Sequence, residues 1–412
     1  MRKIYLLLVA VLINTIGCAQ IYDILGRDVN TITTAVPFLL MSPDPVGASL
    51  GETGVATSND VYSLYWNPAK YGATSQLQSN DPSHDFRAAI SYSPWLRRVV
   101  KDLWLGSFYC SKLISENSAI STSFRYFHMK DITYTDIFGI VLGTIKPYEW
   151  TVDIAYSQRI SEHLYGGVAL RYIYSDMTGG LIVSGFRSKP GTSLAADISA
   201  YYEKPLGENM LSFGASISNI GSKIAYLKGQ TNKEFIPTIL RIGPSFDYKI
   251  NNHHQLRFSL EFDKLLVPSP PVYAIDSTGQ VLFDENNEPV IAKGKSPNVS
   301  VFRGMIQSFY DAPEGFTEEI HEITAGIGVE YRLYNTVFFR TGYFSEHQTK
   351  GDRKLLSFGV GLKYKFVEAH LARSIAPEEG YAFADLFRKN NPYRRCWTRY
   401  SIAFDLAGIY KK

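Results

Sequence analysis

Period-two alternation of apolar and polar side chains dominates this chain from about residue 85 to its C-terminal region. Leu256, Phe258, Leu260 and Phe262 interleave with Arg257, Ser259, Glu261 and Asp263. Ile323, Ala325, Ile327, Val329 and Tyr331 interleave with Thr324, Gly326, Gly328, Glu330 and Arg332. Leu356 to Phe366 repeats the pattern around Ser357, Gly359, Gly361, Lys363 and Lys365. Successive side chains of a strand point to opposite faces, so each segment presents one apolar face and one small or charged face.

The spacing predicts fourteen such strands, near residues 85–95, 103–113, 118–129, 149–160, 164–175, 192–204, 209–219, 237–250, 254–266, 321–333, 336–345, 354–366, 367–375 and 397–408. Most exceed the usual strand of about five or six residues and suit a tilted membrane crossing. Their connections alternate in length. Those after odd-numbered segments run from about seven to more than fifty residues, whereas those after even-numbered segments are tight turns such as Asn251-Asn252-His253. Bacterial outer-membrane barrels sort their loops in this way, with short periplasmic turns, longer external loops and an even strand count. A soluble sandwich has no reason to do so. The expected fold is therefore all-β: a transmembrane antiparallel β-barrel of 14 strands over 85–412, with long extracellular loops. The largest of these spans 267–320.

Composition agrees. The 28 Tyr and 24 Phe residues find a place on a lipid-facing wall and in girdles at its edges. Three cysteines cannot make a disulfide scaffold, and Cys110 and Cys396 are expected at opposite ends of the wall, beyond bonding reach. The 42 basic against 39 acidic residues leave no basic excess for nucleic acid. No apolar run is long enough for a membrane-spanning helix.

Residues 1–19 read as a signal peptide: Arg2 and Lys3, an apolar stretch from Ile4 to Ile13, and a small-residue site at Gly17-Cys18-Ala19. Lipidation of Cys18 is the rival reading, with Thr15 standing where such signals usually carry Leu. Residues 20–84 fit no spanning strand. They carry Pro37, Pro43 and Pro45, a small-residue run Gly47-Ala48-Ser49-Leu50-Gly51, and a short helix expected after an Asn59 or Asp60 cap and ending at Asn67-Pro68. A fourteen-strand barrel has a lumen to fill, and this segment is expected to fold inside it as a hatch.

Two sets of residues are candidates for function. The loop 267–320 opens on Pro268, Pro270 and Pro271, a half expected to be flexible. It then carries Val299, Phe302, Met305, Ile306, Phe309 and Phe316. Apolar side chains in an external loop must cover the barrel mouth or meet a partner. On the polar face, hairpin geometry sets Asp247 opposite Arg257, Arg241 opposite Asp263, and Glu330 opposite Arg340, a charge network expected to brace the lumen. Catalysis finds little support. His370 and Ser374 share a strand face but lie about 13 Å apart, and no strong zinc spacing, phosphate loop or serine elbow occurs, so neither catalytic residue, metal nor cofactor is expected.

Asn59-Asp60-Val61 through Trp66, Asn67, Pro68, Ala69, Lys70 and Tyr71 resembles the hatch motif of the FadL-type barrels, the long-chain fatty acid transporters. A closer resemblance is to the PorV (LptO) family of the type IX secretion system of Bacteroidetes. It is carried by Ala35 to Asp44, Trp66 to Tyr71, Ala169 to Tyr172, Ser218 to Lys223 and Leu240 to Pro244. Pro297 to Val301, Gln307 to Pro313, and Gly315-Phe316 complete it. The resemblance covers nearly the whole mature chain. It implies a FadL-like barrel in the bacterial outer membrane that works as a shuttle without chemistry of its own. Such a shuttle accepts cargo with a C-terminal signal domain from the Sov translocon and delivers it to the PorU-containing attachment complex. The C-terminus departs from the usual aromatic ending of such barrels, with Ala407 to Lys412 following the last strand. Two alternatives are a FadL-like transporter of small hydrophobic molecules and a lipid-A-modifying hydrolase.

Overall fold

A computed structural model describes residues 30–76, 86–95, 102–135, 138, 140–180, 182–183, 186–227, 233–277, 280–286, 288–376 and 396–405. The alternating segments form fourteen long strands: β1 (Phe86–Pro94), β2 (Trp104–Ser115), β3 (Ser118–His128), β4 (Tyr148–Arg159), β5 (Leu164–Asp176), β6 (Gly191–Leu206), β7 (Asn209–Gly221), β8 (Ile239–Lys249), β9 (His254–Leu265), β10 (Ile323–Leu333), β11 (Val337–Ser345), β12 (Lys354–Tyr364), β13 (Val367–Ile375) and β14 (Cys396–Asp405). Each pairs with the next, and β1 pairs antiparallel with β14, closing a barrel that leaves no sheet edge unpaired. The long connections lie at one end and the short turns at the other.

Polarity is reversed relative to a soluble protein. Ser91, Ser107, Ser121, Asp153, Arg171 and Arg257 are buried on the inner face, while Ile154, Leu170 and Leu194 stand 56%, 65% and 70% exposed on the outer one. An apolar outer wall of this extent belongs in lipid. No helix among the described residues is long and apolar enough to cross a membrane. At the loop end, the rings of Tyr92, Trp104, Tyr126, Tyr148 and Tyr174 follow one another at centroid spacings of 5.9, 5.6, 6.0 and 5.8 Å across β1 to β5. At the turn end, exposed rings (Phe86, Tyr156, Tyr248, Tyr334, Tyr364, Phe404) are spread around the barrel.

Residues 30–76 fill the lumen. They form a 3-10 turn Pro37–Leu40, helix α1 (Pro45–Ser49), helix α2 (Ser63–Trp66) and a 3-10 run Pro68–Gln76. Asp44 caps α1, its carboxylate accepting from Gly47 N at 3.1 and 3.2 Å and from Trp66 Nε1 at 3.1 Å. The helix expected after Asn59 or Asp60 starts later, at Ser63, with Tyr62 as its N-cap. Asp60 instead folds back into an Asx turn, accepting from Tyr62 N at 2.9 Å. Proline at 68 ends the segment's α-helix as expected, since the preceding Asn67 is extended.

The wall is shaped to receive this segment. A Cβ on Gly167, Gly214, Gly326, Gly328 or Gly342 would strike the backbone of Ala69, Val55, Gly51 or Leu50, and one on Gly359 would strike Ser49. These inward positions let main chain lie directly on main chain. Cys110 is opposite Ala88, which is opposite Phe404, and Cys396 lies eight residues farther along β14, about 26 Å away. That separation is outside disulfide reach. Residues 1–19, Cys18 among them, lie outside the described residues.

Candidate partner-binding surface and lumen

The connection from β9 to β10 builds a platform over the external mouth. Its first half, expected to be flexible, is a compact β arm. Val272–Tyr273 pairs with Ile291–Lys293, and isolated bridges join Ile275 to Val281 and Phe283 to Pro289. Two aspartates eight residues apart start its turns: Asp276 Oδ1 accepts from Gln280 N at 3.0 Å, and Asp284 Oδ1 from Asn286 N and Glu288 N, both at 2.9 Å. Those side chains do the ordering that proline alone does not announce.

The second half carries helix α3 (Val301–Gln307) and helix α4 (Phe316–His321). Helix α4 turns its glutamates inward, and α3 turns in Gly304 and Gln307 while Arg303 stays exposed. From α4 and the residue after it, Glu318, Glu319 and Glu322 point at two lysines. Lys264 Nζ donates to Glu319 at 3.0 Å and Glu322 at 2.7 Å, and Lys350 Nζ donates to Glu318 at 2.5 Å and Glu322 at 2.9 Å. Glu319 also accepts from Asp311 N and Ala312 N at 2.7 and 2.9 Å. From α3, Gln307 Nε2 donates to Ser296 O at 3.0 Å and Asp311 Oδ2 at 3.2 Å. Burial, with Glu319 and Glu322 nearby, pushes the Asp311 carboxyl up to about 6. Burial would raise Glu318 as well, but the Lys350 hydrogen bond outweighs it and holds Glu318 below its ordinary value.

With the acids turned in, the apolar side chains are left outside. Phe302 is 71% exposed, Ile306 65% and Phe316 79%, and Phe309 is exposed beside them. Val299 and Met305 are half-buried and belong partly to the platform's own packing. Tyr310 and Ile320, which the sequence did not single out, join the exposed set. An amphipathic helix normally buries its apolar face. Here the ion pairs of α4 take the inside, and large apolar side chains of both helices face out.

Inside the barrel the hatch is fixed at many points. Trp66, Asn67, Pro68 and Ala69 are all buried. Asn67 Nδ2 bridges Val55 O and Ala200 O at 2.9 Å each, and Ser157 Oγ donates to Pro68 O at 2.8 Å. Glu261 accepts from Gly54 N and Val55 N at 2.6 and 2.8 Å, and Arg399 holds Glu52 at 3.0 Å. Lys70, fully buried, donates to Gly54 O at 2.8 Å and Thr57 Oγ1 at 3.1 Å.

The lumen charges sit as follows. Asp247 is opposite Arg257 and 2.7 Å from it, and Glu330 is opposite Arg340 and 2.5 Å from it. Arg241 is opposite Asp263 in register, but its Nε lies 4.0 Å from Glu261 and its guanidinium stacks over Tyr65 and Trp66. Glu330 also receives Arg332 at 2.5 Å and Arg257 at 3.6 Å. A further network escaped notice because its members are scattered in sequence: Arg171 contacts Asp153, Asp197 and Asn219.

Two cavities flank the hatch and share no lining residue. The external one, about 360 Å³, is bounded by Tyr65, Trp66, Arg241 and Asp263; the one at the turn end, about 380 Å³, by Asp60, Arg257, Glu330 and His370. His370 and Ser374 do not meet: His370 contacts Arg340 and Glu368, and Ser374 bonds Ser357 at 2.9 Å.

Residues 25–272 match the family described as Type IX secretion system protein PorV, which is more than half of the chain. No curated protein matches it in sequence. Among solved structures, the toluene transporter TodX of Pseudomonas putida covers 92% of this chain and 100% of its own, with 10% identity and a TM-score of 0.51. The toluene transporter TbuX of Ralstonia pickettii covers 89% and 98% with 10% identity and a TM-score of 0.49. A FadL homologue of Pseudomonas aeruginosa covers 92% and 99% with 12% identity and a TM-score of 0.43. At this identity the TodX likeness shows a shared fold, that of the FadL-like outer-membrane barrels. The chain belongs to the PorV family of type IX secretion system proteins and is a fourteen-stranded outer-membrane β-barrel of FadL-like fold.

Proposed function

We propose that this barrel works in type IX secretion as a non-enzymatic shuttle, using its external platform rather than its lumen. In this reading it accepts cargo bearing a C-terminal signal domain from the Sov translocon and hands it to the PorU-containing attachment complex. The observation that carries it is the exposure of large apolar side chains on the platform helices: Phe302, Ile306, Phe309 and Phe316 face out while Glu318, Glu319 and Glu322 face in. Exposed apolar area of this kind is stabilised by a protein partner. The closely seated hatch supports the same reading over a FadL-like conduit for small hydrophobic molecules. The separate surroundings of His370 and Ser374 lend no support to a lipid-A hydrolase.

The test replaces Phe302, Ile306 and Phe309 together by Asp. These side chains face out, so the barrel should reach the outer membrane at its normal level. Cargo in the medium and on the cell surface should fall at least tenfold, since losing one well-packed aromatic anchor typically costs about 2 kcal/mol. Normal secretion with a normally assembled barrel would refute the role given to the platform.

A further inference from the structure

We propose that the cavity at the turn end binds a singly charged phosphate group, such as a phosphodiester, and that this ligand ties the hatch to the wall from the periplasmic side.

The site is built by one row of the wall and the tip of the hatch. Strand pairing sets Arg257, Glu330 and Arg340 side by side across β9, β10 and β11, with Arg332 two residues nearer the turns. Alternation points all four inward, and Arg257, Glu330 and Arg340 are buried there. The cavity they border measures about 380 Å³ and extends to Asn335 in the β10–β11 turn. Turns of such barrels face the periplasm. From the hatch, Ser58 and Asp60 border the same cavity.

A surplus of donors marks it as a binding site. Ser58 Oγ accepts from Arg257 Nη1 at 2.7 Å and from Arg332 Nη2 at 3.3 Å, which occupies its lone pairs and leaves its own proton to donate. Arg257 Nε is buried with no hydrogen-bond partner. Arg332 Nε and Arg340 Nε are spent on Glu330, and Arg340 Nη1 faces His370 Nδ1 at 3.3 Å. Arg332 Nη1 and Arg340 Nη2 meet no acceptor among the described residues, and neither does the Ser58 proton. A hydroxyl and three guanidiniums thus bring unused donors to one cavity. Buried donors are rarely left unmatched, because the desolvation cost is then unrecovered.

The carboxylates nearby are already engaged. Asp247 receives Arg257 at 2.7 Å, and Glu368 receives Lys363 at 2.5 Å with His370 at 3.4 Å. Asp405 lies 4.0 Å from Arg87, and Asp60 Oδ1 accepts from Tyr62 N at 2.9 Å. With Glu330 these make five carboxylates, against five cations in Arg87, Arg257, Arg332, Arg340 and Lys363. The attraction is therefore local and made by hydrogen bonds. Balanced charge suits a monoanion better than a dianion. Donors supplied by three strands and the hatch suit a tetrahedral oxyanion better than a flat carboxylate, and arginine is well matched to phosphate oxygens. A phosphate accepting from Ser58 on one side and from Arg332 and Arg340 on the other bridges hatch and wall.

The test titrates the purified full-length barrel, in uncharged detergent, with inorganic phosphate and with glycerophosphoglycerol, a lipid headgroup without its chains. Sodium acetate and sodium chloride at equal ionic strength are the controls. At least one phosphate probe should bind by calorimetry and should slow tryptic cleavage after Lys70, buried in the hatch, at least threefold. Binding of the diester alone assigns the source to a lipid headgroup, whereas binding of inorganic phosphate assigns it to free phosphate. Arg332→Gln and Ser58→Ala should each weaken binding at least tenfold, about the worth of one charge-assisted hydrogen bond. Ser58→Ala breaks no ion pair, so it reads the site with the wall intact. Equal heats from acetate or chloride would overturn the proposal, as would no binding of either phosphate probe or parental affinity in either variant. Binding that leaves cleavage after Lys70 unchanged would refute the tie to the hatch.

Discussion

Gly342→Val should unseat the hatch. Valine favours strands, so by local preference alone the change would strengthen β11. The inward Cβ, however, would occupy the space of Leu50 C and Gly51 N, which are backbone atoms held on the far side by the strands around them. No rotamer relieves a clash with main chain. Overpacking of this kind costs about 1–3 kcal/mol and more where nothing moves. Expulsion would then also abandon bonds such as those from Glu261 to Gly54 N and Val55 N. Trypsin reads the outcome, because Lys70 is the single basic residue between 30 and 76 and is fully buried. Cleavage after Lys70 should accelerate at least tenfold in G342V, and the variant should conduct ions in planar bilayers more than the parent. An unchanged cleavage rate would mean that the glycine seat does not hold the hatch. Thr341→Val, on the lipid side of the same strand, should leave cleavage as it was.

Glu330→Gln should cost nearly as much by a different route. One carboxylate serves Arg332 at 2.5 Å, Arg340 at 2.5 Å and Arg257 at 3.6 Å, while Asp247 serves only Arg257 closely, at 2.7 Å. Removing its charge leaves the guanidiniums facing one another in the lumen. Breaking a buried ion pair from one side costs about 3–5 kcal/mol. The adjoining cavity admits solvent, which puts the expected loss near the lower figure, about 3 kcal/mol. The melting temperature in detergent should fall accordingly. A second change, Arg332→Gln, should recover part of that loss, because it removes one of the stranded charges. Additive destabilisation in the double variant would contradict the shared-carboxylate arrangement.

The wall was legible in the sequence because a barrel strand obeys two strong rules at once. Its side chains alternate, and its loops sort by length. Leu256 to Asp263 needed nothing else to be placed correctly, and the hairpin centres at Asn252 and Asn335 set the pairing of Asp247 with Arg257 and of Glu330 with Arg340. Contacts made across the lumen left no such local trace. Gly326, Gly328 and Gly359 read as small residues on a polar face, and only the folded hatch gives them their purpose. Arg171 meets Asp153, Asp197 and Asn219 from three other strands, a grouping with no sequence spacing of its own. In the platform, Phe302, Ile306 and Phe316 drew attention as apolar loop residues. Their outward direction depends on Lys264 and Lys350 drawing Glu318, Glu319 and Glu322 inward from elsewhere in the chain. The arm at 272–293 escaped because its order comes from Asp276 and Asp284 turns, which composition alone makes look like a flexible linker.

The central claim is that secretion uses the outer surfaces of this barrel while its lumen stays closed. Locking the hatch tests it most directly. Ser199 Oγ lies 3.1 Å from Ala69 N, so cysteines at these two positions, with Cys110 and Cys396 replaced by serine, would tie the hatch to β6 when oxidised. Cells carrying the Ala69→Cys and Ser199→Cys variant should secrete and attach cargo at the parental rate, with the cross-link formed or reduced. Secretion that stops on oxidation and returns on reduction would show that the hatch must move, and would contradict the account.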